Sequence, residues 1–211
     1  MMKREEKRRI LIGLIKKMKA DDNLPLKKSA NNLVFGEGDV DAKVLFIGEG
    51  PGYWEDQKGL PFVGNAGRLL NELLETIGLS RKEVFITNVV HHRPPNNRDP
   101  EQFEIKAYQP YLDKIIEVIN PKIIVTLGRF SMAKFLEGVT ITQVHGKIKK
   151  AFFNGREIIV IPMYHPAAGL RNSEIKKKLF EDFKVIALVL KDVLNKNSSN
   201  GKQNILQERL I

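Results

Sequence analysis

Four places in this chain set reactive side chains where an apolar run ends. Glu49 lies in the glycine-rich break Gly48-Glu49-Gly50-Pro51-Gly52, straight after Val44-Leu45-Phe46-Ile47. Glycine there lets backbone approach a ligand closely. Asn88 stands inside the run VFITNVV, which opens into Pro94-Pro95-Asn96-Asn97-Arg98-Asp99-Pro100. Gly128-Arg129 follows KIIVTL, and His165 opens His165-Pro166-Ala167-Ala168 after a fourth apolar run. Between the first two places lie the acidic pair Glu55-Asp56 and Phe62, in the turn-rich Pro61-Phe62-Val63-Gly64. Brought together, these supply a carboxylate, an amide with one acceptor and one donor side, an imidazole and an aromatic ring. A lone histidine is usually structural. One followed by Pro-Ala-Ala just after a buried strand is less so.

Apolar runs that end in glycine or loop residues read as buried parallel strands. Strands are expected at 44–47, 84–90, 122–127 and 158–162. Helical spacing marks 3–20, with Ile10, Leu11, Leu14, Ile15 and Met18 on one face, and 65–77, with Leu69, Leu70, Leu73, Leu74 and Ile77. Further helices are expected at 101–119, kinked or broken near Pro110, at 129–136 and at 173–194. Residues 147–153 suggest an edge hairpin turning at Asn154-Gly155, and 164–172 a loop. The alternation predicts an α/β fold: one three-layer α/β/α domain, 1–195, around a central, mainly parallel four-stranded sheet. Residues 196–211 are expected to be a disordered tail. Ligands of open parallel sheets bind at the carboxyl ends of the strands, where the residues above fall.

The chain has 211 residues and a formal net charge of +10. The length suffices for one sizeable core. The basic excess is spread along the chain and favours an anionic partner, nucleic acid first. A lysine-rich thermophile surface is the bland alternative. There is no cysteine, which excludes disulfides, thiolate catalysis and iron–sulfur ligation by protein thiolates. No run approaches the ~20 apolar residues of a membrane span, and the start, MMKREEKRRILIGLIKKMKA, lacks a secretory cleavage pattern. A soluble, cytoplasmic monomer without membrane contact is expected. GEGPG matches neither GxxxxGK-S/T nor GxGxxG, which argues against a nucleotide-binding enzyme. A non-catalytic nucleic-acid-binding module would need no Asn88 and His165 at strand ends.

Taken in order, GEGPG, EDQKGLPFVGNAGRLLN, TNVV, RPPNNRDP, VTLGR and YHPAA resemble the uracil-DNA glycosylase superfamily, most nearly its thermostable family 4 of bacteria and archaea. The resemblance covers roughly residues 7–190. It implies a repair enzyme that hydrolyses the N-glycosidic bond of uracil flipped out of single- or double-stranded DNA. The products would be free uracil and an abasic site. By the resemblance, Phe62 stacks on the flipped base. Asn88 reads the N3–H and O4 of uracil and mismatches cytosine. His165 donates to O2 as negative charge develops there. Glu49 positions and polarises the water. In other branches the water-activating aspartate stands one place later, where this chain has Gly50, so Glu49 and Glu55 both stay open for that role. Glu55 is expected near uracil C5, excluding the methyl of thymine. Gly50 and Asn97 are expected to offer main-chain contacts. Leu170 or Arg171 fills the vacated space. Arg98, Arg129, Arg171 and Lys176-Lys177-Lys178 are candidate phosphate contacts, the lysine run reading first as a solvated helix face.

The chain departs from the family at one feature. Family 4 members hold a 4Fe–4S cluster on four cysteines, and the resemblance sets Asp21, Leu24, His92 and Tyr108 at those places. No cofactor and no metal are therefore expected, and other packing must replace the staple. Alternatives inside the superfamily are a preference for hypoxanthine or xanthine, or a paralogue that binds damage and turns over poorly. The arginine-rich insertion of the covalent uracil-trapping relatives is missing between Gly67 and Asn71. At the far end, Gln203 and Leu206 faintly match a sliding-clamp-binding peptide, with Arg209-Leu210 where two aromatics would be wanted.

Overall fold

The protein is described by a computed structural model over residues 2–208, with side chains through residue 195. Its sheet is built on β2 (Val44–Gly48), all five residues of which are buried. Successive side chains on a strand face opposite ways. Leu45 and Ile47 join one core, and Val44 and Phe46 the other. Two covered faces explain why the run is apolar throughout rather than alternating. Parallel neighbours are β3 (Phe85–Asn88) on one side and β4 (Ile123–Leu127) on the other, with β6 (Arg156–Met163) beyond β4.

These four strands are the four expected, and two short antiparallel strands extend them to six. β1 (Glu37–Gly38) pairs with β3, and β5 (Lys149–Phe153) with β6. The hairpin of β5 and β6 turns through Asn154 and Gly155, both at positive φ, as its sequence suggested. β1 has two residues and is too short to show any period.

One face of the sheet is covered by α1 (Arg4–Ala20) and α4 (Gln102–Ile119), through Leu11, Met18, Tyr108, Leu112 and Ile115. The other face carries α3 (Asn65–Thr76) and α8 (Ser173–Glu208), through Leu69, Leu73, Leu179, Phe183 and Ile186. Phe183 stacks on Phe46 at 6.0 Å. α4 runs through Pro110 without a break. The carbonyl that this proline leaves unpaired, on Lys106, lies on the exposed side.

Three short helices depart from expectation. α2 (Tyr53–Lys58) and α6 (Ile141–Val144) fall in stretches read as loop. α7 (Pro166–Arg171) replaces the expected loop at 164–172, and between α4 and α6 the short α5 (Arg129–Ala133) is the expected helix, trimmed. α8 is assigned through Glu208, into the stretch read as a tail. The side chains of that stretch, including Gln203 and Leu206, and residues 209–211 lie outside the described residues. Among those described, no helix is long and apolar enough to cross a membrane.

The chain moves from β2 outward to β3, then returns to place β4 on the other flank of β2. Parallel α/β sheets hold ligands at such a reversal. Glu49 follows β2, and Gly128-Arg129 follows β4, so the reversal falls among the candidate residues.

Candidate active site

A cavity of about 230 Å3 opens at the carboxyl ends of the parallel strands, walled by Glu49, Phe62, Asn88, Asn97 and His165. Asn88 ends β3 and is 1% exposed, yet its Oδ1 accepts no hydrogen bond from the protein. Buried polar atoms are nearly always partnered. Among the described residues four other buried polar atoms also lack a hydrogen-bond partner, His91 Nδ1 and Thr126 Oγ1 among them, but Asn88 alone of these residues lines this cavity, where its amide can turn to a ligand. Gly48 makes the room, because a Cβ there would lie 2.6 Å from the Phe62 ring and overlap Asn88 Oδ1.

Phe62 is buried with φ at 52°, a conformation costly for a residue of that size. The turn around it is clamped from both sides. Arg81 donates to the carbonyls of Pro61 (2.7 Å) and Phe62 (3.2 Å) and pairs with Glu37. Glu55 Oε1 accepts from the backbone N–H groups of Val63 (2.8 Å) and Gly64 (2.7 Å). Gly67 lets α3 close against the Phe62 carbonyl, which a Cβ would strike. The clamped ring lies against His165, centroids 5.6 Å apart and planes 28° from parallel.

His165 caps α7. Its Nδ1 accepts the backbone N–H of Ala167 at 3.1 Å. Burial pushes its pKa down to about 4, with Glu55 opposing the shift. An imidazole that accepts at Nδ1 and stays neutral carries its proton on Nε2. The backbone thus fixes the tautomer that leaves an N–H donor. Glu49 is half-buried. Burial raises its pKa to about 7, the Asp99 charge adds to the rise, and Arg129 opposes it. A carboxylate tuned there can take a proton near neutrality. A second cavity of about 420 Å3 shares Glu49 and His165 with the first and reaches Gly128, Arg129 and Asp99.

The other candidates divide. Gly50 and Asn97 border both cavities. The Asn97 N–H is already given to the Pro94 carbonyl at 3.1 Å, so only its carbonyl side is left for a main-chain contact. Glu55 is on the cavity wall, but its Oε1 is committed to the Phe62 turn. Its neighbour Asp56 is buried and holds the backbone of Asn31 and Asn32. Arg98 reaches the first cavity while its guanidinium grips Glu104 at 2.6 and 2.8 Å. Arg129 pairs with Asp99 at the second. Arg171 lines both cavities, and Leu170 is 48% exposed on a neighbouring surface beside Arg68 and Lys176. Gly48, Gly67 and Arg81 were not anticipated. The two glycines sit inside quoted motifs, whereas Arg81 lies in an unremarkable polar stretch and carries no signal.

The four residues that the resemblance sets at the family's cluster do not fit that group. Leu24 has no donor atom and is buried with Tyr108 and His92. His92 Nδ1 and the Tyr108 hydroxyl bond to each other at 2.7 Å, and Asp21 accepts from the Tyr111 hydroxyl at 2.6 Å. The volume is filled by side chains bonded to one another, with no soft ligand present. Among the described residues, no three His, Asp or Glu are grouped to hold a metal ion.

Residues 35–185 match the profile of the family described as "Uracil DNA glycosylase superfamily". The "Type-4 uracil-DNA glycosylase" of Sulfurisphaera tokodaii is 54% identical over 161 residues, covering 74% of this chain and 73% of the relative. The protein of that name from Saccharolobus solfataricus is 50% identical over 167 residues, 76% of this chain and 77% of the relative. That from Thermotoga maritima is 44% identical over 186 residues, 86% and 94% respectively.

Proposed function

We propose that this chain, which belongs to the uracil DNA glycosylase superfamily, hydrolyses the N-glycosidic bond of uracil flipped out of DNA. It releases free uracil and leaves an abasic site, the first step in repairing deaminated cytosine. The observation that carries the reading is the open acceptor of Asn88, buried at the cavity wall. Oδ1 suits the N3–H of uracil, and the amide N–H suits O4. Cytosine presents the opposite pattern and would leave buried groups unpaired. Phe62 offers the flipped base its clamped ring.

As the bond to the sugar breaks, its electron pair moves onto the base and charge gathers at O2. The neutral His165 supports this step with an N–H donor fixed in advance. Glu49 holds a water toward the sugar and accepts its proton, a role its raised pKa supports. Glu55 serves chiefly to hold the Phe62 turn. Arg129 and Arg171 contact phosphates at the mouth, with Arg98 placed by Glu104, and Leu170 enters the space left by the flipped nucleotide. The enzyme works without an iron–sulfur cluster, and a single copy carries every residue of the site. It acts in the cytoplasm, where the chromosome lies.

The test is uracil release from a labelled uracil-containing oligonucleotide in EDTA, for wild type, Asn88→Ala, Glu49→Gln and His165→Ala. Release by the wild type, lost by roughly 100-fold or more in each variant, supports the reading. A wild type that binds the oligonucleotide and releases hypoxanthine or xanthine but no uracil would overturn it.

A further inference from the structure

Beside the cavity mouth stand two aromatic side chains that the chemistry above leaves unused. Tyr53 and Trp54 open α2, between Gly52 and Glu55, which both line the cavity. Tyr53 is 49% exposed and Trp54 57%. The two rings meet edge to face, centroids 5.1 Å apart. Trp54 packs toward Gly64, where a Cβ would lie 3.6 Å from the indole. It therefore rests on the same turn that presents Phe62. The Arg93 guanidinium sits 5.2 Å above the Tyr53 ring and donates to Asn97 at 2.7 Å. Aromatic faces, a guanidinium and the rim of a cavity read as a base pocket thus form one continuous surface.

Single exposed rings such as Phe152 are ordinary, but two adjacent rings at a cavity rim form a contiguous apolar patch of the kind that marks an interaction site. Proteins that hold single-stranded nucleic acid combine positive charge with exposed aromatics on which successive bases stack. Bases of a duplex are stacked on one another and cannot reach such a platform. Those of a single strand can. The net charge of +10 and Arg93 at the rim supply the electrostatic half.

We infer that Tyr53 and Trp54 form a stacking platform for a base flanking the flipped nucleotide in single-stranded DNA. The inference rests on the glycosylase reading for the position of the flipped base. It makes the platform a determinant of single-strand over double-strand preference. An exposed protein-docking patch is the competing occupant, and it predicts no strand preference.

Trp54 is the single tryptophan of the chain, so its fluorescence reports the contact directly. The probe is an oligonucleotide with one 2′-fluoro-deoxyuridine, whose glycosidic bond resists hydrolysis, used alone and annealed to its complement. The single strand should quench the emission more strongly than the duplex. By anisotropy of the labelled probe, Trp54→Ala and Tyr53→Ala should each weaken single-strand binding about tenfold and duplex binding about twofold or less. Trp54→Phe should keep most of the affinity, and Trp54→Leu should lose it, because stacking needs a π face. Phe152→Ala, which removes an 80% exposed ring on the distant β5 edge, should bind like wild type. Equal losses on both strands, or Leu serving as well as Phe, would overturn the platform. Uracil release is scored in parallel on ordinary substrate. If wild type releases uracil but Trp54→Ala binds single strands normally, the platform alone fails. If the binding pattern holds and no uracil is released, the glycosylase reading fails and the single-strand site stands.

Discussion

Asn88 and Tyr108 are both buried, and in sequence they flank the same proline-rich segment. The Asn88 amide keeps an acceptor with no protein partner, on the wall of a cavity. The Tyr108 hydroxyl is bonded to His92, and the surrounding volume is packed with Leu24, Leu26 and Met18. Polar groups in the first region are held ready for something absent from the chain. In the second region His92 and Tyr108 satisfy one another, and although His91 Nδ1 beside them has no partner, His91 lines neither cavity. The difference separates a site from a staple by a physical criterion, and it can be tested by removing the polar atom on each side.

The largest effect should come from the site. Asn88→Ala should lower kcat/KM for uracil release about 1000-fold, because the discriminating contacts disappear. It should shift folding stability by no more than about 1 kcal/mol, since the deleted Oδ1 had no partner to strand. Denaturant titration and single-turnover rates on one preparation measure both quantities. A large stability loss would reclassify Asn88 as structural.

Glu49→Gln should lower kcat about 100-fold, with a change of pH profile that a structural residue would not produce. Glu49 must be ionised to accept a proton, and its pKa is raised to about 7. The wild-type rate should therefore climb with pH through about 7, and the variant should be flat there. The stability sign is opposite. Between pH 4.5 and about 7 the native carboxyl keeps a proton that the unfolded chain has lost. Folding stability contributed by this group falls as pH rises across that window, and Glu49→Gln removes the slope.

On the staple side the pattern should invert. Tyr108→Phe strands His92 Nδ1 in a buried place, at a cost of about 1–3 kcal/mol. Uracil release at saturating substrate and moderate temperature should stay within about twofold of wild type. Thermal melting and initial rates on the same variant would show it. A loss of activity with unchanged melting would break the distinction between the two regions.

What the sequence made legible follows the same division. The four parallel strands announce themselves because burial on both faces keeps their centres almost continuously apolar, with Thr87 and Thr126 the buried hydroxyl exceptions. Glu49, Asn88 and His165 stand out because a polar residue ends or interrupts such a run. The clamps do not stand out. Arg81 and Glu37 lie 44 positions apart in ordinary polar segments, and only the folded chain brings them to the Phe62 turn. Glu55 was visible as a charge, but its hydrogen bonds to Val63 and Gly64 arise from α2, a six-residue helix with no clear period. β1 is shorter than one alternation. The resemblance set Asp21, Leu24, His92 and Tyr108 where the family has cysteines, but nothing in the sequence showed that Tyr108 would bond His92 or that Tyr111 would bond Asp21.

Acid sensitivity sharpens the comparison further, because both regions hold buried histidines. Burial lowers the pKa of His92 to about 4, of His91 to about 3 and of His165 to about 4. Each is neutral when folded and has an ordinary pKa near 6.5 when unfolded. The unfolded chain therefore gains protons first as pH falls below about 6.5. Stability is complete above that value and declines toward pH 4, by up to about 1.4 kcal/mol per pH unit for each histidine. Replacing a histidine by glutamine should flatten its share of the slope in either region. His92→Gln and His91→Gln should also lower the melting temperature at pH 7, because each gives up a bond to another buried side chain, the Tyr108 or the Thr87 hydroxyl. His165→Gln loses no side-chain partner of that kind, its Nδ1 accepting from an N–H at a helix start. It should lose uracil release and keep its melting temperature within about 2 °C of wild type. Equal melting losses in His92→Gln and His165→Gln would mean that His165 is a staple as well as a donor.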